Sequence, residues 1–191
     1  MFVNNNFDVK NSVFIEDAFD KKTTLNVEKE KWFLGWYRGV PVFKAPFALD
    51  GRSYSFGGIF LAGKDYIKFM ENPNKITETL NHEWGHTRQL LLLGIGDYFN
   101  MIAIPSILDL GPGLYYNKPW EITADMFGGV IRSEHTKVAK RIGIAYLGVA
   151  EFASNTIVKP MLFPIYSSAA ALLDGIIPGL GTTLLTIIYT S

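Results

Sequence analysis

The sequence predicts an α+β fold, with a small N-terminal antiparallel sheet and a mainly helical remainder. Three observations carry that expectation. Aromatic and β-branched runs around an Asp-Gly pair fill Gly39 to Gly63, helical apolar spacing takes over from Asn72, and after Lys159 the only charged side chain is Asp174. With 191 residues, 48% of them hydrophobic, the chain can bury a sizeable core, and one domain with its centre in 39–135 is expected.

The strand expectation rests on Gly39 to Leu49 and Arg52 to Gly63, two runs flanking Asp50-Gly51. Asp-Gly between such runs is a strong short-range hairpin signal, so two antiparallel strands are expected. Gly57-Gly58 inside the second run marks either a bulge or a close approach by another backbone.

Asn72-Pro-Asn74 then supplies a helix start, and Ile76, Leu80, Trp84 and Leu91 form one apolar stripe that should end at Gly94-Ile-Gly96. A second helix is expected from Asn117-Lys-Pro119, with Trp120, Ala124, Phe127 and Ile131 at helical spacing. Gly128-Gly129 near its end serves either tight packing or a C-cap.

The C-terminal region, 160–191, is apolar and is broken at Asp174-Gly-Ile-Ile-Pro-Gly into two short segments. Apolar runs under about 18 residues are more often core than membrane spans, so buried helices are the first expectation and membrane association the second.

Composition narrows the chemistry. The 18 basic and 18 acidic side chains balance, with no basic stripe, which argues against nucleic-acid binding. No cysteine is present, so disulfides, thiolate zinc sites and a cysteine nucleophile are excluded, and any metal needs His, Asp or Glu. The first ten residues lack a basic, apolar and small-residue succession, so no secretory signal is expected there. Either a cytoplasmic protein or one exported by another device fits that reading.

Two of the three histidines stand in His82-Glu83-Trp84-Gly85-His86, an HExxH sequence inside the first expected helix. Residues i and i+4 share a helix face, so both imidazoles can reach one metal ion. Glu83 is turned about 100° from His82, suited to accept a proton from water rather than to ligate. A catalytic zinc site takes three protein ligands and leaves a position open, and Glu121 is the leading third ligand. Asp125, one turn on, is placed to accept a proton from a ligating imidazole and fix its orientation. Taken alone, Glu121 and Asp125 also read as solvated first-turn acids favoured by the helix dipole. Asp97 and Asp109 are the rival third ligands.

The motif with Glu121-Ile-Thr-Ala-Asp125 resembles the gluzincin class of zinc metallopeptidases. More narrowly, Ser53 to Leu61, Asn81 to Gln89, Ile104-Pro-Ser106 and Trp120 to Asp125 resemble predicted bacterial metallopeptidase domains, often found at the C-terminal ends of RHS-repeat proteins of the polymorphic toxin type. The resemblance covers roughly Gly51 to Val130. It implies a zincin-like fold, zinc held by His82, His86 and Glu121, Glu83 as catalytic acid/base, and Asp125 in support. It further implies a protein or peptide substrate, a toxin or effector role, and an inhibitory or immunity partner. This chain has no RHS repeats of its own.

Peptide hydrolysis also wants an oxyanion donor, for which Tyr115, Tyr116, Arg88, Arg132 and His135 are available by type. Two competing readings accompany this one. Leu172-Leu-Asp174-Gly175 is similar to a motif of site-2-type intramembrane proteases, which would make Asp174 the third ligand, although the residues before His82 are polar for a membrane helix. Alternatively the protein is non-catalytic, a membrane-active or interaction protein working through its apolar C-terminal third.

Overall fold

A computed structural model describes residues 12–15, 23–26, 32–45, 52–109 and 114–190. It is mixed α+β, and the chain forms two compact units: Met1–Thr87 with Phe127–Val130, and Arg88–Met126 with Ile131–Ser191.

The first unit holds a six-stranded sheet. Its strands are β1 (Ser12–Ile15), β2 (Thr23–Asn26), β3 (Phe33–Tyr37), β4 (Val40–Lys44), β5 (Tyr54–Ser55) and β6 (Ile59–Leu61), in the order β1-β2-β3-β4-β6-β5. Arg38 and Gly39, both with positive φ (48° and 81°), make the tight turn between β3 and β4, matching the twist of the flanking strands. Leu34, Tyr37, Val42, Ile59 and Leu61 point inward and are fully buried, joined by Tyr66 and Phe69 of α1 (Gly63–Glu71). Along the strands aromatic rings pair up, with Trp32 on Phe43 at 4.7 Å, Phe43 on Phe60 at 5.2 Å and Tyr54 on Phe60 at 5.0 Å. Such cross-strand pairs stabilise a sheet by roughly 0.2–1 kcal/mol each.

The expected hairpin of two antiparallel strands around Asp50-Gly51 is corrected. The pairing of β4 with β6 is parallel, so the sheet is mixed rather than antiparallel. The antiparallel partner of β6 is β5, and the chain reverses at Gly57-Gly58, where Phe56 N–H donates to Gly58 O. Once those two residues close the turn, β6 runs in the direction of β4, which needs a connection longer than a hairpin loop. Asp50 and Gly51 themselves lie outside the described residues. Gly58 also admits a close neighbour, as a Cβ there would sit 2.9 Å from Phe43 Cε2.

The 3₁₀ turn Pro73–Ile76, whose start is capped when Asn72 accepts from Asn74 N–H, leads into α2 (Thr77–Tyr98). Ile76 and Leu80 are fully buried under the sheet, with Trp84 packed beside them. Leu91 is exposed, contrary to expectation. Gly94 does break the helix, at φ 76°, but helical backbone resumes beyond it.

In the second unit, α2 passes into a π-helical turn, Phe99–Ala103, and the short α3 (Ile104–Ile107). A 3₁₀ turn at Tyr115–Asn117 precedes α4 (Pro119–Gly128). Next come α5 (Lys137–Ala153), a second π-helical turn at Ser154–Val158, α6 (Lys159–Ile176) and α7 (Leu180–Thr190). Tyr98, Ile102, Trp120 and Leu147 form this unit's core, and the Tyr146 hydroxyl donates to Met101 O at 2.5 Å.

Trp120 and Ala124 are buried as the spacing predicts, whereas Phe127 and Ile131 are exposed. The helix stops at Gly128, and Gly129 at φ 77° turns the chain away, so Ile131 never joins the stripe. Within the first unit, a Cβ at Gly128 would stand 2.1 Å from Asn81 O, so only glycine permits this approach to α2. The C-terminal region splits where the sequence indicates, between Ile176 and Leu180, but its helices are not core: Met161, Leu172 and Ile176 are each more than 70% exposed.

Candidate metal centre

His82, Glu83 and His86 fall in the second and third turns of α2, a stretch fixed by the burial of Ile76 and Leu80, with Trp84 packed against the same core. Trp84 is held by the β3–β4 turn. Its indole N–H donates to Arg38 O at 3.3 Å, and the Arg38 guanidinium lies 4.9 Å above its ring while donating to Gly128 O. On the adjoining turn Tyr37 hydroxyl donates to Asn81 Oδ1. These contacts set the rotation of α2, and therefore where its two imidazoles project. Their rings lie edge to face with centroids 4.7 Å apart, and both residues are buried.

Glu83 is buried too, and β5 provides its partner. Ser55 Oγ lies 2.8 Å from Glu83 Oε2 and 2.6 Å from Glu83 O, so its single proton is shared between the carboxylate and the carbonyl. Thr87 Oγ1 donates to the same carbonyl at 3.3 Å. A carboxylate removed from water in this way is costly unless hydrogen-bonded, and the serine offsets part of that cost.

Glu121 is fully buried in the first half of α4. Two neighbours fix its position. The Gln89 amide nitrogen donates to Trp120 O at 2.6 Å and to Thr123 Oγ1 at 2.7 Å, bracketing Glu121 in sequence, and Thr123 Oγ1 in turn donates to Pro119 O. Ser106, presented by α3, donates to Glu121 Oε1 at 2.7 Å, and Tyr115 hydroxyl stands 2.8 Å from Ser106 Oγ. A Tyr115, Ser106, Glu121 chain results, each hydroxyl donating to the next oxygen.

The ligand atoms of His82, His86 and Glu121 all lie within 4.8 Å of one another, and the three residues are a buried group that can hold a metal ion. The donor set fits one: two imidazoles and a carboxylate taken wholly out of water balance best around a cation, and two His with a Glu is a standard set for a divalent metal. Among the described residues no other cluster of this kind is present.

The remaining candidates have other attachments. Asp125, fully buried, accepts from Arg132 Nε at 2.6 Å, and His135 Nδ1 stands 3.6 Å from the same oxygen. His135 Nε2 is 2.8 Å from Tyr116 O, and Arg132 lies 4.0 Å over the Tyr116 ring, so Asp125, Arg132, His135 and Tyr116 form one assembly. Asp97 pairs with Lys159 Nζ at 3.0 Å, Asp109 lies 3.5 Å from Lys118 Nζ, and Asp174 caps α7 through Gly181 and Thr182. Arg88 is exposed on α2.

Ser55, Ser106, Gln89 and Arg38 are the contributors that spacing did not reveal. Ser55, Gln89 and Ser106 lie inside the stretches that carry the family resemblance, which is the one signal that marked them.

The fold and site thus define a mixed α+β protein with a buried metal-capable His, His, Glu group beside a hydrogen-bonded glutamate. No protein-family model, curated protein or solved structure matches the chain.

Proposed function

We propose that this protein is a zinc-dependent peptidase. The observation that carries the reading is the gathering of His82, His86 and Glu121, with Glu83 between the two histidines in sequence and held by Ser55. Held by those three ligands, zinc would supply a Lewis acid that polarises a carbonyl and acidifies water. Glu83 takes the proton from the attacking water and passes it to the leaving amine, so no proton has to be exchanged with bulk solvent during the step. Ser55, donating to Oε2, orients the carboxylate for that transfer.

Of the five candidate oxyanion donors, Arg132, His135 and Tyr116 are engaged with one another and with Asp125, Tyr115 donates its hydroxyl proton to Ser106, and Arg88 is exposed, so none is singled out. The substrate in this reading is a protein or peptide.

The test is metal content and hydrolysis together. Protein purified without added metal carries about one zinc per chain, cleaves peptides from a library, and loses cleavage but not zinc in the Glu83→Gln variant. A preparation that takes up no zinc when it is offered, or one whose cleavage survives in Glu83→Gln, overturns the reading.

A further inference from the structure

We propose that the hairpin formed by α6 and α7 inserts into a lipid bilayer. This inference is independent of the peptidase reading and rests on how the hairpin disposes of its polar groups.

Between residues 160 and 190 the sole charge is Asp174. Its carboxylate accepts from Gly181 N–H at 2.6 Å, Thr182 N–H at 3.2 Å and Thr182 Oγ1 at 2.5 Å. All eight hydroxyls of that stretch are also committed within the protein. Those of Ser167, Ser168, Thr183, Thr186 and Thr190 donate to backbone carbonyls three or four residues earlier in the chain. Those of Tyr166, Thr182 and Tyr189 donate to Asn100 Oδ1, Asp174 Oδ2 and Lys159 O.

The backbone follows the same rule at the turn. The first four N–H groups of a helix normally lack partners. In α7, Leu180 N–H donates to Ile177 O, Gly181 and Thr182 N–H to Asp174, and Thr183 N–H to Gly179 O. The helices are also brought together by small residues: a Cβ at Gly181 would sit 1.8 Å from Ala170 O. Close approach at small residues, with hydroxyls bonded back to their own helix, is how helices associate in a hydrocarbon phase.

The outer surface complements that phase in charge. Met161, Ile165, Leu172 and Ile176 are 62–76% exposed, and no ionised side chain lies among them on α6 except the capped Asp174. A protein partner would meet a rim of hydrogen-bonding groups, about one bond per 100–200 Å² of interface, and this surface keeps its side-chain donors for itself. Dimensions agree: α6, with 18 residues, is about 27 Å long, close to the roughly 30 Å hydrocarbon thickness. The helix run Lys137–Ile176 is long and apolar enough to cross a membrane, and its most apolar window is only 11% buried. At the base, Lys159 is buried and paired with Asp97, which ties the hairpin to its unit.

The experiment is flotation of the full-length protein with phosphatidylcholine vesicles on a density gradient in 1 M NaCl. The wild type floats with the vesicles, and salt does not release it. The Leu172→Glu, Ile176→Lys double variant, altered at exposed positions so that circular dichroism stays unchanged, partitions about a hundredfold less. As a second readout, Ile177→Trp gains fluorescence that brominated acyl chains quench. A wild type that stays with the soluble fraction, a double variant that floats as well as the wild type, or a chain that self-associates through these residues and ignores lipid would each overturn the proposal.

Discussion

Ser55 Oγ stands 2.8 Å from Glu83 Oε2, joining a two-residue strand to the glutamate of the HExxH sequence. In the proposed reaction the contact matters because Glu83 is buried, and a buried carboxylate acting as base is effective only when held at one orientation. Ser55→Ala should therefore leave zinc content unchanged and lower kcat/KM by roughly tenfold, about 1.4 kcal/mol in the barrier. Parallel metal analysis and steady-state kinetics check this. Loss of zinc in the variant would mean that the serine supports folding of the site rather than the base.

Glu121 is the proposed third ligand, and its loss should matter most for metal retention. Glu121→Ala should abolish zinc binding, while Asp174→Ala, altered at the α6–α7 turn, should retain about one zinc per chain. Under the proposed function, zinc should stabilise the folded wild type by mass action, about 2.7 kcal/mol at a free concentration 100 times Kd. The shift in Tm on adding zinc should vanish in Glu121→Ala. Retention of that shift would move the third ligand elsewhere.

Ser106 donates to one oxygen of Glu121, and removing such a support typically costs about 10–100-fold in metal affinity. Ser106→Ala should show that loss in competition with a chromophoric chelator. An affinity equal to the wild type would show that burial alone orients the carboxylate.

Gln89 is fully buried, and its amide holds Trp120 O and Thr123 Oγ1. Gln89→Leu should destabilise the protein by about 2–3 kcal/mol, since a buried carbonyl and a buried hydroxyl each lose a donor. Denaturant midpoints at constant m-value measure it.

Burial pushes the Tyr146 phenol up to about 12, while its hydroxyl donates to Met101 O. The folded state therefore holds this proton above pH 10, where the unfolded chain releases it. Stability from this group is complete below about pH 10 and declines as pH rises toward 12, by about 1.36 kcal/mol per pH unit at most. Tyr146→Phe should flatten the alkaline limb of the stability curve relative to the wild type. Parallel urea titrations at pH 9 and pH 11 test it, and equal slopes for the two proteins would refute it.

Sequence determined the parts of this protein that are local. The i, i+4 spacing of His82 and His86, the stripe of Ile76, Leu80 and Trp84, and the break between Ile176 and Leu180 depend on helix geometry and turn chemistry, which a few consecutive residues specify. Partner choice over long separations was decided by the tertiary structure. Asp-Gly at 50–51 is a hairpin signal, yet β6 took β5 as its antiparallel partner and β4 as its parallel one, because strand pairing depends on the whole layer. Ser55 and Ser106 share no period with Glu83 and Glu121, so no spacing could associate them. Leu91 and the C-terminal helices show the same division: apolarity is written in the residues, but burial requires a second surface to pack against, and only the folded chain determines whether one is there.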